Sequence, residues 1–335
     1  MKSKSLGIFA LIGMMMLSMH ISQTSHTSID YSIQNTKTSI NDTLSKTSSD
    51  TVVFFKDNSQ FQLFLQSHSV EKVYYNLHAV RTNISPYELH LYDQAQGFPA
   101  QLFTTYQVTG HPSEPIISPQ ATTNTVANLT GIEPLWNMGY NGTGVTVAVM
   151  DNGINATHPA LLNKVVGRYY INSTGTTPCM DHGTAVAGSL AMTPDPQDTL
   201  TAGTGFGAKL VDISLGCKGL EISGDFLAGF DYVLGNGTID IINTSFGGFA
   251  PAWDFITQKL EAAGIIVVGA AGNDGPGFQS VTTGAPGNSI NAISVGSVNL
   301  DGVRSTFSSI GPGKDMSIKP DLLAPGEGPK LHLSG

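Results

Sequence analysis

Three residues of types used in acyl-transfer chemistry lie at the ends of predicted elements in the second half of the sequence. Asp151 ends the apolar run VTVAVM, His182 begins the segment HGTAVAGSLA, and Asn273 follows the run IIVVGAA. An acid that orients a histidine, a histidine that accepts a proton and an amide that donates to an oxyanion can together form such a site. Asp181 comes directly before His182, and we expect it to be the N-cap of a helix that ends near Met192.

The elements around these residues alternate between strands and helices. Val145–Met150 and Lys209–Leu215 are apolar runs typical of strands buried on both faces, and IDIINTSF, IIVVGAA and NAISVGSV are predicted to be further strands. GDFLAGFDYVL and PAWDFITQKLEAAG have apolar residues at helical spacing. This alternation predicts an α/β fold, a doubly wound parallel sheet with helices on both faces. Functional residues in such sheets lie at the carboxyl ends of the strands, so we expect the candidate residues to meet there.

Composition limits the class of partner. The chain has 335 residues, of which 40% are hydrophobic and 12% are charged, and its formal net charge is -9. This length suffices for one large core and a smaller accessory domain. The charged fraction is well below the roughly 25% of typical soluble domains, so Ser, Thr, Asn and Gly must cover much of the surface. The 16 Lys and Arg residues form no cluster, which excludes nucleic acid as a partner.

The N-terminal segment has the order of a signal peptide. Lys2 and Lys4 precede an apolar run from Leu6 to about Met19, so we predict a signal peptide over residues 1–25 and a secreted or extracellular protein. The alternative is an uncleaved anchor helix, since no clean small-x-small cleavage site follows, although the run is short for a full membrane span. We expect the protein to contact a membrane only through this N-terminal segment.

A small domain is predicted between two polar stretches. Residues 26–50 form a polar linker, residues 51–110 a small α+β domain, 111–130 a second linker with several prolines, and 131–335 the sheet domain. Within the small domain, TVVFF and ELHLY are strand-like, whereas SQFQLFLQS and VEKVYYNLHAV are compatible with helices.

Several motifs together resemble the subtilisin family of serine proteases, the subtilases. They are GTGVTVAVMDNGI, DHGTAVAGSLA, INTSFGG, VVGAAGNDG, FSSIGP and KPDLLAPG, which occur in the family's order and cover about Leu135 to Gly326. The resemblance implies that Asp151 holds His182 in the tautomer that can accept a proton from a serine, and that Asn273 donates to the oxyanion.

The resemblance also implies substrate-binding segments. Ser245, Phe246 and Gly247 resemble the segment that lines the primary specificity pocket and pairs with extended substrate backbone. A second such segment is expected near residues 215–219, beginning with Leu215 and Gly216. Polypeptide substrates are the partners that follow, and the small upstream domain would be the protein's own prodomain, with a maturation cut within about residues 111–130.

One family motif is missing. Subtilases carry the nucleophilic serine in a G-T-S-M-A-type motif beyond the segment that matches KPDLLAPG, and no such motif occurs in the 335 residues. Ser334 has no such context. We therefore expect a catalytic domain truncated before its nucleophile, a sheet domain incomplete at the C-terminus, and a chain that is inactive as it stands. The alternatives are a non-catalytic peptide-binding protein or pseudoprotease and, last in rank, a metal-dependent hydrolase using Asp151 and His182 as ligands.

The two cysteines, Cys179 and Cys217, both fall in the sheet domain. In an exported protein they most economically form one disulfide, and the family includes members with a bridge between these loops. The competing role for Cys179, a substitute nucleophile, is disfavoured because three residues from His182 is too local for independent positioning. The predicted chemistry requires no cofactor. Structural calcium is common in the family, but the sequence assigns no ligands to it.

Overall fold

The computed structural model describes ten stretches of the chain, and these belong to two compact units. The described residues are 47–103, 105–106, 123–171, 181–194, 202–218, 221–223, 225–247, 252–275, 286–313 and 316–327. The first unit ends at residue 100, and the second takes its described residues from 101 onward. The predicted signal peptide and most of the polar linker that follows lie outside the described residues.

The first unit is a four-stranded antiparallel sheet with two helices. Its elements are β1 (Ser49–Phe54), α1 (Asn58–Ser67), β2 (Lys72–Tyr74), β3 (Ala79–Ile84), α2 (Pro86–Leu89) and β4 (Gln96–Pro99). A 3₁₀ helix at Ala100–Phe103 follows, and its last three residues belong to the second unit. The strand order is β2-β3-β1-β4. Phe61 and Phe64 of α1 are buried against Val53 and Val80 of the sheet. The amphipathic helix therefore closes one core, as the pattern of SQFQLFLQS predicts.

Two local predictions in this unit are wrong. VEKVYYNLHAV forms β2, a turn and the start of β3, because His78 adopts a left-handed backbone (φ 48°) that ends any helix there. ELHLY contains the end of helix α2, whose start is fixed by a reciprocal cap. The Ser85 side chain accepts from the Glu88 N–H, and the Glu88 carboxylate accepts from the Ser85 N–H. The S-P-Y-E sequence is the signal for this cap.

The second unit contains a seven-stranded parallel sheet flanked by helices. Its strands are β6 (Thr146–Asp151), β7 (Val165–Tyr170), β8 (Lys209–Ser214), β11 (Ile241–Thr244), β12 (Ile266–Ala270), β13 (Ala292–Val298) and β14 (Leu322–Pro325). Their order is β14-β13-β12-β11-β6-β8-β7, and every pairing is parallel. From β6 the chain goes to the edge strand β7, returns to β8, and then crosses to β11, from which it winds outward to β14. The predicted doubly wound sheet is confirmed.

Helices and a small sheet complete this unit. The helices are α3 (Thr123–Thr130), α4 (Glu133–Asn137), α5 (His182–Ala191), α6 (Phe226–Asn236) and α7 (Trp253–Ala262), with a 3₁₀ helix at Pro159–Leu161. The small sheet has the order β5-β10-β9 and consists of β5 (Thr105–Tyr106), β9 (Cys217–Lys218) and β10 (Glu221–Ser223). Part of the stretch predicted as a second linker is thus helical, because α3 occupies its last eight residues.

Helix α5 is buried over most of its length. Its residues from Gly183 to Ala191, apart from Ala185, are buried, and Val186, Ala187 and Leu190 pack with Val147 and Val149 in the main core. Small residues allow this close approach of helix and sheet. As a result, the first residue of α5 is held at the carboxyl edge of β6.

None of the helices in the described stretches combines the length and apolarity that a bilayer-crossing helix needs.

Candidate active site

Asp151 and His182 form a direct side-chain pair. His182 Nδ1 lies 2.9 Å from each of the two carboxylate oxygens of Asp151, although the residues are 31 positions apart in sequence. Asp151 is fully buried, whereas 15% of the His182 side chain is exposed. Because Nδ1 is occupied by the carboxylate, Nε2 is the ring nitrogen left for a substrate or another catalytic group.

Burial is the largest single effect on the pKa of His182, but the charge of Asp151 and its hydrogen bond together outweigh it. Burial disfavours the imidazolium and lowers the pKa, but the charge of Asp151 and its hydrogen bond raise it, and the net result is a pKa above the ordinary value of 6.5. Asp151 therefore stabilises a proton on His182, which is what a general base requires after it has accepted one.

A hydrogen-bonded connection joins the Asp151 segment to the start of α5. The Gly183 N–H donates to Asn152 Oδ1 at 2.8 Å, and the Asn155 N–H donates to Thr184 Oγ1 at 2.9 Å. The Asn152 N–H in turn donates to Asp151 Oδ1 at 2.7 Å. These contacts fix the helix start, and with it His182, against the carboxylate.

Asp181 differs from its predicted role. It occupies the N-cap position of α5, but its side chain makes no capping hydrogen bond to the helix. Its backbone is in the helical region (φ -81°, ψ -6°) rather than in the extended region usual for an N-cap, so the carboxylate is not directed at the first-turn N–H groups. Asn152 supplies an acceptor to the first turn instead.

Sheet register places the other candidate segments beyond the same edge. Asp151 pairs with Ser214, directly before Leu215 and Gly216, and Thr244, directly before Ser245, pairs with both Met150 and Gly269. Four neighbouring strands, β8, β6, β11 and β12, thus end together. With about 4.8 Å between strands, their loops span roughly 15 Å, a suitable width for a peptide-binding site.

Ser245 and Phe246 are buried rather than exposed to solvent. Ser245 Oγ accepts a hydrogen bond from the Asn243 side chain at 3.0 Å, and the Phe246 ring packs on Phe226 of α6 with 5.0 Å between ring centroids. Gly247 is partly exposed. If this segment meets substrate, it does so with its backbone, since the Phe246 side chain belongs to the core.

Asn273 lies in a turn that follows β12 and is braced by a second loop. The Ser309 N–H donates to the Gly272 carbonyl at 3.1 Å, and the Asp274 N–H donates to Ser309 Oγ at 3.1 Å. Asn273 itself is partly exposed. The FSSIGP motif thus has a visible structural task, which is to hold the turn that carries Asn273.

Sequence comparison identifies the family to which these elements belong. The model of the subtilase family (peptidase S8) matches residues 142–334, more than half of the chain. The chain belongs to the subtilase family.

This subtilase is similar to several curated proteases. It is 34% identical over 211 residues to subtilisin NAT from Bacillus subtilis subsp. natto, a match that covers 60% of this chain and 51% of the relative. It is 33% identical to a subtilisin from Bacillus pumilus over 60% of this chain and 71% of that one. The membrane-bound transcription factor site-1 protease of Rattus norvegicus is 31% identical over 61% of this chain and 20% of its own length. The chain thus spans about half the length of the Bacillus subtilis relatives that it matches.

A solved structure supports the fold. The epidermin leader peptide processing serine protease of Staphylococcus aureus, solved as a mutant, superposes with a TM-score of 0.60 at 18% identity. The superposition covers 84% of this subtilase and 76% of that protein. At this identity the likeness concerns the arrangement of strands and helices.

Cys217, at the start of β9, is disulfide-bonded. The sequence contains one other cysteine, Cys179, which lies outside the described residues. The pairing of Cys179 with Cys217 therefore stays a prediction.

Two charged residues near the site escaped the sequence interpretation. Asp212 lies within the strand KLVDISL and is fully buried, and Arg168 of the neighbouring strand β7 pairs with it, its Nε 2.8 Å from Asp212 Oδ2. The signal was present, because an acid within an otherwise apolar strand run requires a buried partner. No group of three metal-ligating side chains is found among the described residues.

Proposed function

We propose that this subtilase supplies the acid, the base and the oxyanion donor of a serine endopeptidase. The single observation that carries the proposal is the direct contact between His182 Nδ1 and the Asp151 carboxylate, at the edge where the proposed substrate-binding segments begin. The family and its relatives supply the class of reaction, which is hydrolysis of peptide bonds by a serine.

Each group has a step in the proposed reaction. His182 Nε2 accepts the proton of the serine hydroxyl as its oxygen attacks the substrate carbonyl carbon, and Asp151 stabilises the imidazolium that forms. The carbonyl oxygen becomes an oxyanion, to which the Asn273 amide donates. His182 then gives the proton to the departing amine. Water repeats the sequence on the acyl-enzyme and restores the serine.

The serine is not among these 335 residues in the family's motif, since no G-T-S-M-A-type sequence occurs. We therefore expect the chain by itself to be inactive, with a serine from outside these residues needed for hydrolysis. The chemistry calls for no cofactor, and we assign no calcium site. The direct contact of Asp151 with His182 leaves no space for a metal ion between them, which disfavours the hydrolase that would use both as ligands.

Substrate polypeptide is proposed to bind as an added strand. Strand β10 lies in the loop after Leu215 and Gly216, and its outer edge pairs in antiparallel register with Thr105–Tyr106 of the same chain. This pairing supports the proposal that the edge of β10 can accept an extended peptide. We propose the upstream domain as a prodomain from its position in the chain. A maturation cut would then fall after β5, and export would be directed by the N-terminal segment.

The alternative function is binding of peptides without catalysis. The same edge and the same strand pairing would serve it, and the absent serine motif favours it. The two functions differ in whether a serine completes the site.

Sequencing of the DNA beyond the codon for Gly335, followed by expression of the extended polypeptide, tests the proposal. We expect a G-T-S-M-A-type motif there, casein hydrolysis by the extended protein, inhibition by a serine-reactive phosphonate, and loss of at least about 10³ in kcat for His182→Ala. The 335-residue chain is the matched control and should be inactive. Hydrolysis that survives both the phosphonate and His182→Ala would overturn the proposal, and peptide binding without any hydrolysis would favour the alternative.

A further inference from the structure

A buried ion pair lies beside the segment that follows Asp151. Asp212 of β8 and Arg168 of β7 are partners in the parallel register, and Arg168 Nε is 2.8 Å from Asp212 Oδ2. Asp212 is fully buried, whereas 27% of the Arg168 side chain is exposed. Arg168 Nη1 also donates to the Tyr170 hydroxyl at 3.1 Å, which keeps the outer part of the guanidinium in place.

Both members of the pair bind the backbone of Ile154. The Ile154 N–H donates to Asp212 Oδ2 at 3.1 Å, and Arg168 Nη2 donates to the Ile154 carbonyl at 2.7 Å. Ile154 is three residues after Asp151, and its side chain is buried in the main core. One peptide group on each side of Ile154 is therefore held by a charged side chain.

The pair is poorly arranged for stability alone. Both contacts of Asp212 converge on Oδ2, while the buried Oδ1 accepts no hydrogen bond within the described part of the chain. Burial raises the pKa of Asp212 to about 6, against the opposing effects of Ile154 and Arg168. The carboxylate is thus charged at neutral pH at a cost, and apolar residues of similar volume often serve stability as well as a buried pair does.

The held segment leads directly to the base. From Ile154 the chain continues to Asn155, whose N–H binds Thr184 Oγ1, and it is preceded by Asn152, whose Oδ1 binds the Gly183 N–H. Both of these contacts reach the first turn of α5, which begins at His182. The ion pair and the first turn of α5 therefore both hold the same short segment, residues 152–155.

We propose that Asp212 and Arg168 are positioning residues of the active site. Their contacts to Ile154 set the course of residues 151–155 and thereby keep the Asp151 carboxylate on His182 Nδ1. The proposal rests on the proposed function for its catalytic meaning, but its physical content is the geometry of the Asp151 and His182 pair, which can be measured without a nucleophile.

The test follows His182 by NMR titration in the 335-residue chain labelled with ¹⁵N-histidine. Asp212→Asn and Asp212→Ala both remove the charge, but only Asn keeps an oxygen that can accept from the Ile154 N–H. We expect the pKa of His182 in Asp212→Ala to be lower than in Asp212→Asn by about half a pH unit or more, because the hydrogen bond that His182 Nδ1–H donates to Asp151 is weakened. Equal values in the two variants would overturn the proposal.

Two controls keep the outcome decisive. Asp50→Asn breaks a similar ion pair, Asp50 with Arg81 (2.6 Å), in the other unit and should leave His182 unchanged. If Asp212→Ala does not fold, the same titration compares Arg168→Gln with Arg168→Ala. We expect the lower pKa of His182 in Arg168→Ala, since the Gln amide can still donate to the Ile154 carbonyl. Asp151→Asn separates the two proposals: if it leaves the pKa of His182 unchanged, the acid–base pair itself is wrong, whereas an effect of Asp151→Asn with none from Asp212→Ala removes only the positioning role.

Discussion

Gly183 lies so close to Gly153 that a Cβ atom on Gly183 would be 2.4 Å from the Gly153 carbonyl oxygen. The same Cβ would lie 2.9 Å from Asn152 Oδ1 and 3.1 Å from the Asp151 Cβ. These atoms belong to backbone or to buried side chains, so none of them can move away at low cost. The residue after His182 must be glycine for the helix start to approach the Asp151 segment.

We therefore expect Gly183→Ala to destabilise the chain by about 1–3 kcal/mol, the usual cost of overpacking a core. The matched control is Gly167→Ala, where a new Cβ would meet Val211 methyl groups at ordinary contact distances of 3.6 and 3.7 Å. Urea unfolding of both variants measures the difference. Equal stabilities for Gly183→Ala and Gly167→Ala would show that the close approach is not maintained in solution.

The pH dependence of stability reports on Asp212. Burial raises its pKa from 3.8 to about 6, so the folded chain binds this proton more tightly than the unfolded chain does. The contribution of Asp212 to the free energy of unfolding is therefore most favourable below pH 4. It is lost as the pH rises towards 6, a change of about 2–3 kcal/mol.

Urea unfolding of the unmodified chain and of Asp212→Asn at pH 4, 5, 6 and 7 isolates this effect. The free energy of unfolding of the unmodified chain should fall relative to that of the variant as the pH rises. A difference that stays constant would mean that Arg168 and the Ile154 N–H offset the effect of burial, and one that grows in favour of the unmodified chain would mean that they exceed it.

The disulfide has a simple chemical test. We predict that the denatured, non-reduced chain has no thiol that reacts with a thiol reagent, and that proteolysis yields one linked peptide pair containing Cys179 and Cys217. Cys217→Ser should cost about 4 kcal/mol, because the bridge closes a loop of roughly 39 residues. Two reactive thiols would rule the bridge out.

The oxyanion role of Asn273 is testable in an extended, active polypeptide. Asn273→Ala should lower kcat by about 10²–10³ with KM nearly unchanged, because the amide acts on charge that develops only in the transition state. A rise in KM of the same size, with kcat unchanged, would instead assign Asn273 to substrate binding.

The α/β fold could be predicted from the sequence because it leaves a periodic signal, whereas the pairing of Asp151 with His182 was implied by the resemblance to the subtilases. Strands buried on both faces give continuous apolar runs, and residues that follow such strands must meet at one edge of a parallel sheet. The helix of GTAVAGSLA was equally clear. What could not be predicted was the partner of Asp212, since a buried acid indicates that a partner exists but does not say which of 16 basic residues it is.

The errors have local causes. VEKVYYNLHAV has apolar residues at spacings that fit a helix as well as two short strands, and pairing of β3 with β1 over Ser49–Phe54 decides in favour of strands. Asp181 has the residue type of an N-cap, but its backbone is in the helical region and its side chain makes no capping hydrogen bond. In VEKVYYNLHAV, strand pairing outweighs local propensity.

The most direct test of the account is the NMR titration of His182 in the unmodified chain and in Asp151→Asn, with His182→Gln used for assignment. Asp151 raises the pKa of His182 above its ordinary value, and burial alone would lower it. We therefore predict a pKa above about 6.5 in the unmodified chain and below about 6.5 in Asp151→Asn. A pKa of His182 that is the same in both proteins would contradict the acid–base pair on which the proposed activity depends.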